Sequence, residues 1–236
     1  MFGHIYNTII YYPLLNLLVF FYNIIPDMGA VIILLTLLTR VVLAPSFHKS
    51  LKSQKALNDL QPRLNEMREK HKDNKEAQAK AMMDLYKEYK INPFSSCLPL
   101  LIQLPILIGL YQVFNFALGG HEISGLYSFI HAPASISPYL FKILDLSKPS
   151  IALGVIAGLA QFWQSKLMMP KTAGADATTK AMQMQTTYVL PILSVVIAVR
   201  LPAGLPLYWI VTTLFAVGQQ YYIMRNKPRQ ELGIRN

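Results

Sequence analysis

The sequence predicts an all-α polytopic membrane protein with five transmembrane helices, and three observations lead there. Of 236 residues, 53% are hydrophobic and 14% charged, at a mean hydropathy of +0.33, whereas a soluble domain carries about 25% charged residues. The charge is gathered, because residues 46 to 92 alone hold eleven Lys/Arg and seven Asp/Glu. The remaining apolar runs approach the roughly 20 residues that a helix needs to cross a hydrocarbon core.

Residues 1–26 are apolar, but His4, Asn7, Thr8, Tyr11, Tyr12, Asn16 and Asn23 recur at roughly helical spacing. That pattern suits an amphipathic helix lying in the outer interface; an ordinary first span is the alternative. No Lys or Arg precedes the apolar run and no small-residue cleavage site follows it, so a cleavable signal peptide is not expected. Pro26 and Asp27 break this segment and start span 1, residues 27–48, which Arg40 interrupts and which continues past Pro45.

Residues 49–92 read as a helical hairpin outside the membrane. Leu57, Leu60, Leu64 and Met67 form a narrow apolar stripe on a charged helix, the polar stretch Lys70 to Glu76 breaks it, and Met82 or Met83, Tyr86 and Tyr89 resume the spacing. Span 2 occupies 93–118, with Pro99, Pro105 and Gly109 tolerated through neighbouring helices. Residues 119–149 form an irregular outer segment. Spans 3, 4 and 5 follow at 150–169, 182–200 and 204–224, separated by a polar linker at 170–181 and followed by a tail at 225–236.

Cation counting orients the chain. With the hairpin, the 170–181 linker and the tail on one side, that side holds eighteen Lys/Arg, Lys166 included, against three (Lys142, Lys148, Arg200) on the other. The hairpin, linker and C-terminus are therefore cytoplasmic and the N-terminus lies outside. The net charge of +10 sits beside apolar spans instead of on a soluble basic domain, which argues against direct nucleic-acid recognition.

Chemistry of the covalent kind is not expected. No phosphate-binding loop, metal cluster or nucleophile motif is present. Cys97, the one cysteine, reads as a packed thiol, and His121 with Glu122 is too sparse for a metal site. No catalytic residue, metal site or cofactor is assigned.

Arg40 is the anomaly, since an unpaired charge at the bilayer centre costs from about 3 to more than 10 kcal/mol. Of the twelve acids, Asp27, Glu122 and Asp145 fall at or beyond the outer boundary and the other nine are cytoplasmic, so no membrane-embedded carboxylate can pair with it. Two readings stay open: snorkelling to the interface, or a hydrated cavity lined by uncharged polar groups. Gln103 and Gln112 in span 2, Gln161 and Gln164 in span 3, Gln183, Gln185, Thr186 and Thr187 in span 4, and Thr212, Thr213, Gln219 and Gln220 in span 5 supply such groups. Singly, each also suits helix–helix hydrogen bonding.

The segments LLTRVVLAP, LQPRLNEMREKHKDN, LYKEYKINPFSSCLPLLIQLPILIGLYQVF and LPAGLPLYWIVTTLFAVGQQYYI resemble the YidC/Oxa/Alb family of membrane protein insertases, in its short form without the large periplasmic domain. The likeness runs from about Asp27 to Arg225 and keeps the family's order of spans and loops. It implies five core spans around a hydrophilic groove open to the cytoplasm and to lipid, guarded by the hairpin. On this resemblance Arg40 stands at the groove arginine, Trp209 at the groove-lining aromatic of the last span, and Gln161 or Gln164 at a groove-lining glutamine. Together with Gln103 and Thr212, these make the expected substrate-binding groove.

The implied partners are membrane lipids and nascent membrane proteins with short translocated tails, in the bacterial plasma membrane. Use of the Sec translocon stays open. So does ribosome docking, given a tail after Met224 of only twelve residues. Two other classes compete: a small-solute transporter, against which the lack of internal repeats and membrane carboxylates speaks, and a sheltering assembly factor that docks through the hairpin.

Overall fold

Asp27 begins the longest helix of the chain and shows how one end of the molecule is sealed. In extended backbone, its carboxylate accepts the backbone N–H of Ala30 at 2.9 Å, satisfying a donor that a helix start otherwise leaves orphaned. Its second oxygen accepts the backbone N–H of Phe141 at 2.5 Å, tying a distant loop to the same point. The computed structural model describes residues 2–92, 95, 98–118, 124–169 and 177–225. Cys97, His121 and Glu122, residues 170–176 of the expected linker, and all of the expected tail beyond Arg225 lie outside the described residues.

Helix α1 comprises Phe2–Tyr6, a π-helical turn at Asn7–Tyr11, and Tyr12–Ile24. Helix α2 runs unbroken over Met28–Lys70, 43 residues with Pro45 and Pro62 inside it, about 65 Å at 1.5 Å per residue. The expected boundary between span 1 and hairpin, at 48/49, is therefore not a break. Helix α3 is Lys75–Glu88 and α4 is Leu98–Leu118. A two-stranded antiparallel sheet, β1 Tyr139–Leu140 with β2 Leu144–Asp145, adds a small element to the helical architecture. Helix α5 is Ile151–Met168. Helix α6 joins Ala177–Met184, a π-helical turn Gln185–Val189, and Leu190–Ala198. Helix α7 is Gly204–Arg225. The segments Gly3–Ile24 and Met28–Lys70 are long and apolar enough to cross a membrane, and Leu101–Ala117 and Gln185–Ala198 are shorter apolar helices.

Helix α7 packs broadly on α2 and on α5, and α5 packs on α6. The α5–α6 approach is close because Gly154 and Gly158 present no side chain: a Cβ at Gly154 would stand 2.7 Å from Val199 Cγ1, and one at Gly158 would strike Val195. Small residues four apart are the usual device for close helix packing in membranes.

The main core lies at the Asp27 end. Leu15, Leu18 and Val19 of α1, Met28, Val31, Ile32 and Leu35 of α2, Leu110 and Val113 of α4, Leu146 and Ala203 are all fully buried in it. The segment from 124 to 150 is stapled over this end. Asn16 donates to Gly125 O at 3.1 Å and accepts from Tyr127 N at 2.7 Å, Asn23 donates to His131 O at 2.8 Å, and Tyr22 Oη accepts from Ser137 N at 2.7 Å. Backbone bonds from Ala203 to Lys148 O (2.9 Å) and from Gly204 to Leu146 O (3.2 Å) close it against the start of α7.

At the other end, the latter part of α2 and α3 form an antiparallel pair. Leu60, Leu64 and Leu85 make its core, with Met67, Met82, Tyr86, Tyr89 and Ile91 packed around them. Met82, not the exposed Met83, carries the stripe. Leu85 joins it and Leu57 does not. Asn74 caps α3 by accepting from Glu76 N (3.1 Å) and Ala77 N (3.0 Å). Burial pushes the Tyr86 phenol up, against the opposing pull of Arg68.

Candidate functional site

Arg40 lies twelve residues into α2, about 18 Å along the axis from Met28, and its side chain turns into the bundle, 7% exposed. Its Nε–H donates to Thr212 Oγ1 of α7 at 2.6 Å. Its Cζ stands 4.6 Å from the centre of the Phe47 ring, two turns further along the same helix, where the ring face attracts a cation. These two contacts hold the guanidinium and leave its four Nη protons for the space in front of it.

That space is a cavity of about 460 Å³ between α2, α4, α5, α6 and α7. Arg40, Gln103, Gln161, Gln164, Trp209 and Thr212, the six residues named from the sequence, all line it. Gln103 Nε2 donates to Tyr208 Oη. No carboxylate occurs among its described lining residues. Arg40 is the one charged group among those described lining residues, set beside six amides and five hydroxyls that can solvate a cation without neutralising it.

The sequence reading missed five polar or aromatic parts of this wall: Phe47, Ser50, Gln54, Ser194 and Tyr208. Gln112, in contrast, lies elsewhere and accepts a hydrogen bond from Tyr6 Oη at 3.0 Å. Gln54 could be found only by extending α2 unbroken beyond Pro45. Tyr208 hides a buried phenol, 2% exposed, inside an apolar run.

The hairpin end of the cavity is spanned by α2. Asn58 Nδ2 donates to Met168 O at 3.0 Å and Lys55 Nζ to Ile223 O at 3.3 Å, so α2 satisfies carbonyls at the last turns of α5 and α7, which have no partners within their own helices. Ser50 Oγ donates to Ser95 O at 2.7 Å and fixes the approach to α4.

The family model described as 60Kd inner membrane protein matches residues 20–230. The chain is 36% identical over 213 residues to the membrane protein insertase YidC of Nitratidesulfovibrio vulgaris (strain DP4), covering 90% of this chain and 38% of that protein. It is 34% identical over 218 residues to the membrane protein insertase YidC of Geotalea daltonii, covering 92% and 37%. The chain therefore spans little more than a third of the length of these curated relatives. A solved structure described as an active YidC insertase with the first transmembrane domain resolved superposes with a TM-score of 0.61 at 29% identity, over 92% of this chain and 46% of that one.

Proposed function

Because the chain belongs to the 60Kd inner membrane protein family, we propose that it is a membrane protein insertase whose substrate groove is the cavity in front of Arg40. The observation that carries this reading is a buried arginine facing a polar cavity with no carboxylate among the described residues around it. Such a site has an unfilled preference for an anion. The acidic tail of a small membrane protein supplies one.

In this reading the Asp27 end faces outward and the hairpin end faces the cytoplasm of a bacterial plasma membrane. Five spans, formed by the first part of α2 and by α4, α5, α6 and α7, surround the groove. Helix α1 lies along the outer interface. Supporting that placement, its contacts with the 124–137 segment run from Tyr12 to Asn23, about 16 Å of its length; a crossing helix would meet an outer loop at one end only.

A nascent tail enters from the cytoplasmic side, where the cavity shortens the apolar distance that a polar segment must cross. Arg40 draws a tail carboxylate inward, and the attraction grows as water is excluded. The substrate's hydrophobic helix then partitions into lipid beside the bundle, and that apolar transfer supplies the net driving force. The chain's own residues bind and orient; no bond in the substrate is broken.

The test is reconstitution of the full chain in liposomes with a single-spanning substrate bearing an acidic tail. Arg40→Ala should lower insertion about tenfold or more, because a charge-assisted hydrogen bond is worth about 1.5–3 kcal/mol. Arg40→Lys should fall between, keeping the charge but losing the Nε–Thr212 bond. Wild-type insertion by both variants would overturn the reading.

A further inference from the structure

A second cavity, of about 360 Å³, lies on the hairpin side of the first and joins it through Gln54, Gln164 and Gln220. Six carboxamides line it: Gln54, Asn58, Gln61, Gln164, Gln183 and Gln220. Arg68 is the one charged side chain among its described lining residues.

Three of these carboxamides are chemically incomplete. Gln61 Oε1, Gln183 Nε2 and Gln220 Oε1 are buried without a hydrogen-bond partner among the described residues, and Gln220 as a whole is only 3% exposed. They stand on three separate helices, α2, α6 and α7. A buried polar atom left unpaired costs stability, and an apolar side chain of similar size would avoid that cost. The fold's own packing therefore gives no reason for an amide at these three places. The last torsion of a glutamine is broad, so each terminal amide can turn into the cavity that its side chain already lines.

The unmet set contains two acceptors and one donor, and a carboxamide plane carries both kinds of group. The partner matching that set is another amide. A polypeptide main chain offers an N–H and a C=O at every residue except proline. An extended chain crossing an apolar slab leaves these groups unsatisfied at heavy cost, so host and guest each lack what the other holds.

We propose that this carboxamide-lined vestibule binds the main chain of an extended polypeptide, hydrogen-bonding its peptide groups irrespective of side-chain sequence. The inference rests on the insertase reading and deepens it. Arg40 selects for charge, whereas the vestibule accepts any sequence and holds the tail extended on its way inward.

The test uses the full chain in liposomes and two semisynthetic substrates that differ only in three consecutive N-methylated peptide bonds in the tail. Methylation removes main-chain donors and leaves the side chains intact. The wild type is compared with the Gln61→Leu/Gln183→Leu/Gln220→Leu variant as a double-mutant cycle. Methylation should slow wild-type insertion about tenfold and slow the variant no more than about twofold. Equal slowing of both proteins, or of neither, overturns the vestibule while leaving the insertase reading standing. If the wild type fails to insert even the unmethylated substrate, the insertase reading itself is overturned, and the vestibule with it. Should the triple variant not fold, Gln220→Met carries the same cycle, with an expected coupling of about threefold, and no coupling overturns the proposal.

Discussion

Helix α2 passes through two environments. From Met28 to Leu35 it meets leucine, valine and phenylalanine side chains, and Met28, Val31, Ile32 and Leu35 are fully buried there. From Arg40 to Gln61 the same helix borders two connected cavities lined with amides and hydroxyls. At the first end even the polar atoms are accounted for: Asp27, Asn16, Asn23 and Tyr22 each hold a named backbone group. At the second, Gln61, Gln183 and Gln220 carry buried atoms that no described residue satisfies. The sealed end is built for stability. The open end gives stability up where, on the proposed function, a guest is received, as functional sites commonly do.

Truncating the sealed end should produce the largest loss of stability. Ile32→Ala and Leu35→Ala each remove a fully buried side chain and should cost about 2–5 kcal/mol, read as thermal unfolding of the purified protein in detergent. Arg40→Met should do the reverse: unchanged or higher thermal stability, because an apolar replacement removes a costly buried charge, while insertion falls about tenfold, in line with the value of a charge-assisted bond. A large stability loss on Arg40→Met would erase the contrast between the two ends.

Smaller effects sharpen the picture. Thr212→Val removes the acceptor of the Arg40 Nε–H and should cost about 1–2 kcal/mol of positioning, seen as a several-fold loss of insertion with little change in unfolding temperature. Asn58→Ala frees the Met168 carbonyl and should cost about 1 kcal/mol, read as faster hydrogen exchange in the last turn of α5. The smallest effect belongs to the Asp145–Lys148 pair, 2.9 Å apart. The Ser147 hydrogen bonds, then Lys148, hold the Asp145 carboxyl below its ordinary value of 3.8, and Asp145 holds the Lys148 amine above 10.5. The stabilising effect of Asp145 is therefore present above pH 3.8 and lost as pH falls through its lowered value. That of Lys148 is present below pH 10.5 and lost as pH rises through its raised value. The pair's own contribution should stay flat between these limits, and an NMR titration of Asp145 with a midpoint above 3.8 would contradict the assignment.

Much of the site is legible in the sequence, for a simple reason. A charge in an apolar run is conspicuous, and counting acids shows that Arg40 has no membrane-embedded partner. Glutamines and threonines in apolar runs stand out in the same way, so Gln103, Gln161, Gln164 and Thr212 could be named. What stays hidden is polarity that looks ordinary. Gln54 and Ser50 sit in the charged stretch, where such residues read as solvated surface; they become cavity wall only because α2 continues unbroken. The polar residues of α1 show another limit. Their spacing reads as one wet face, yet Asn16 and Asn23 are spent on carbonyls more than 100 residues away, a pairing that no local pattern encodes. Leu60 and Leu64 were legible because the hairpin packs through neighbours in sequence.

The central claim, that the polar cavity receives the polar tail of a membrane substrate, is tested most directly by site-specific crosslinking along α6. Ser194 lines the cavity, whereas Val196, two residues on, is 46% exposed on the bundle surface. With Cys97 replaced by serine, Ser194→Cys and Val196→Cys are each presented with a substrate arrested during insertion and carrying a thiol-reactive group in its tail. The account predicts an adduct from Ser194→Cys to the tail and little from Val196→Cys. Equal adducts at both positions, or an adduct at Val196→Cys alone, would contradict it.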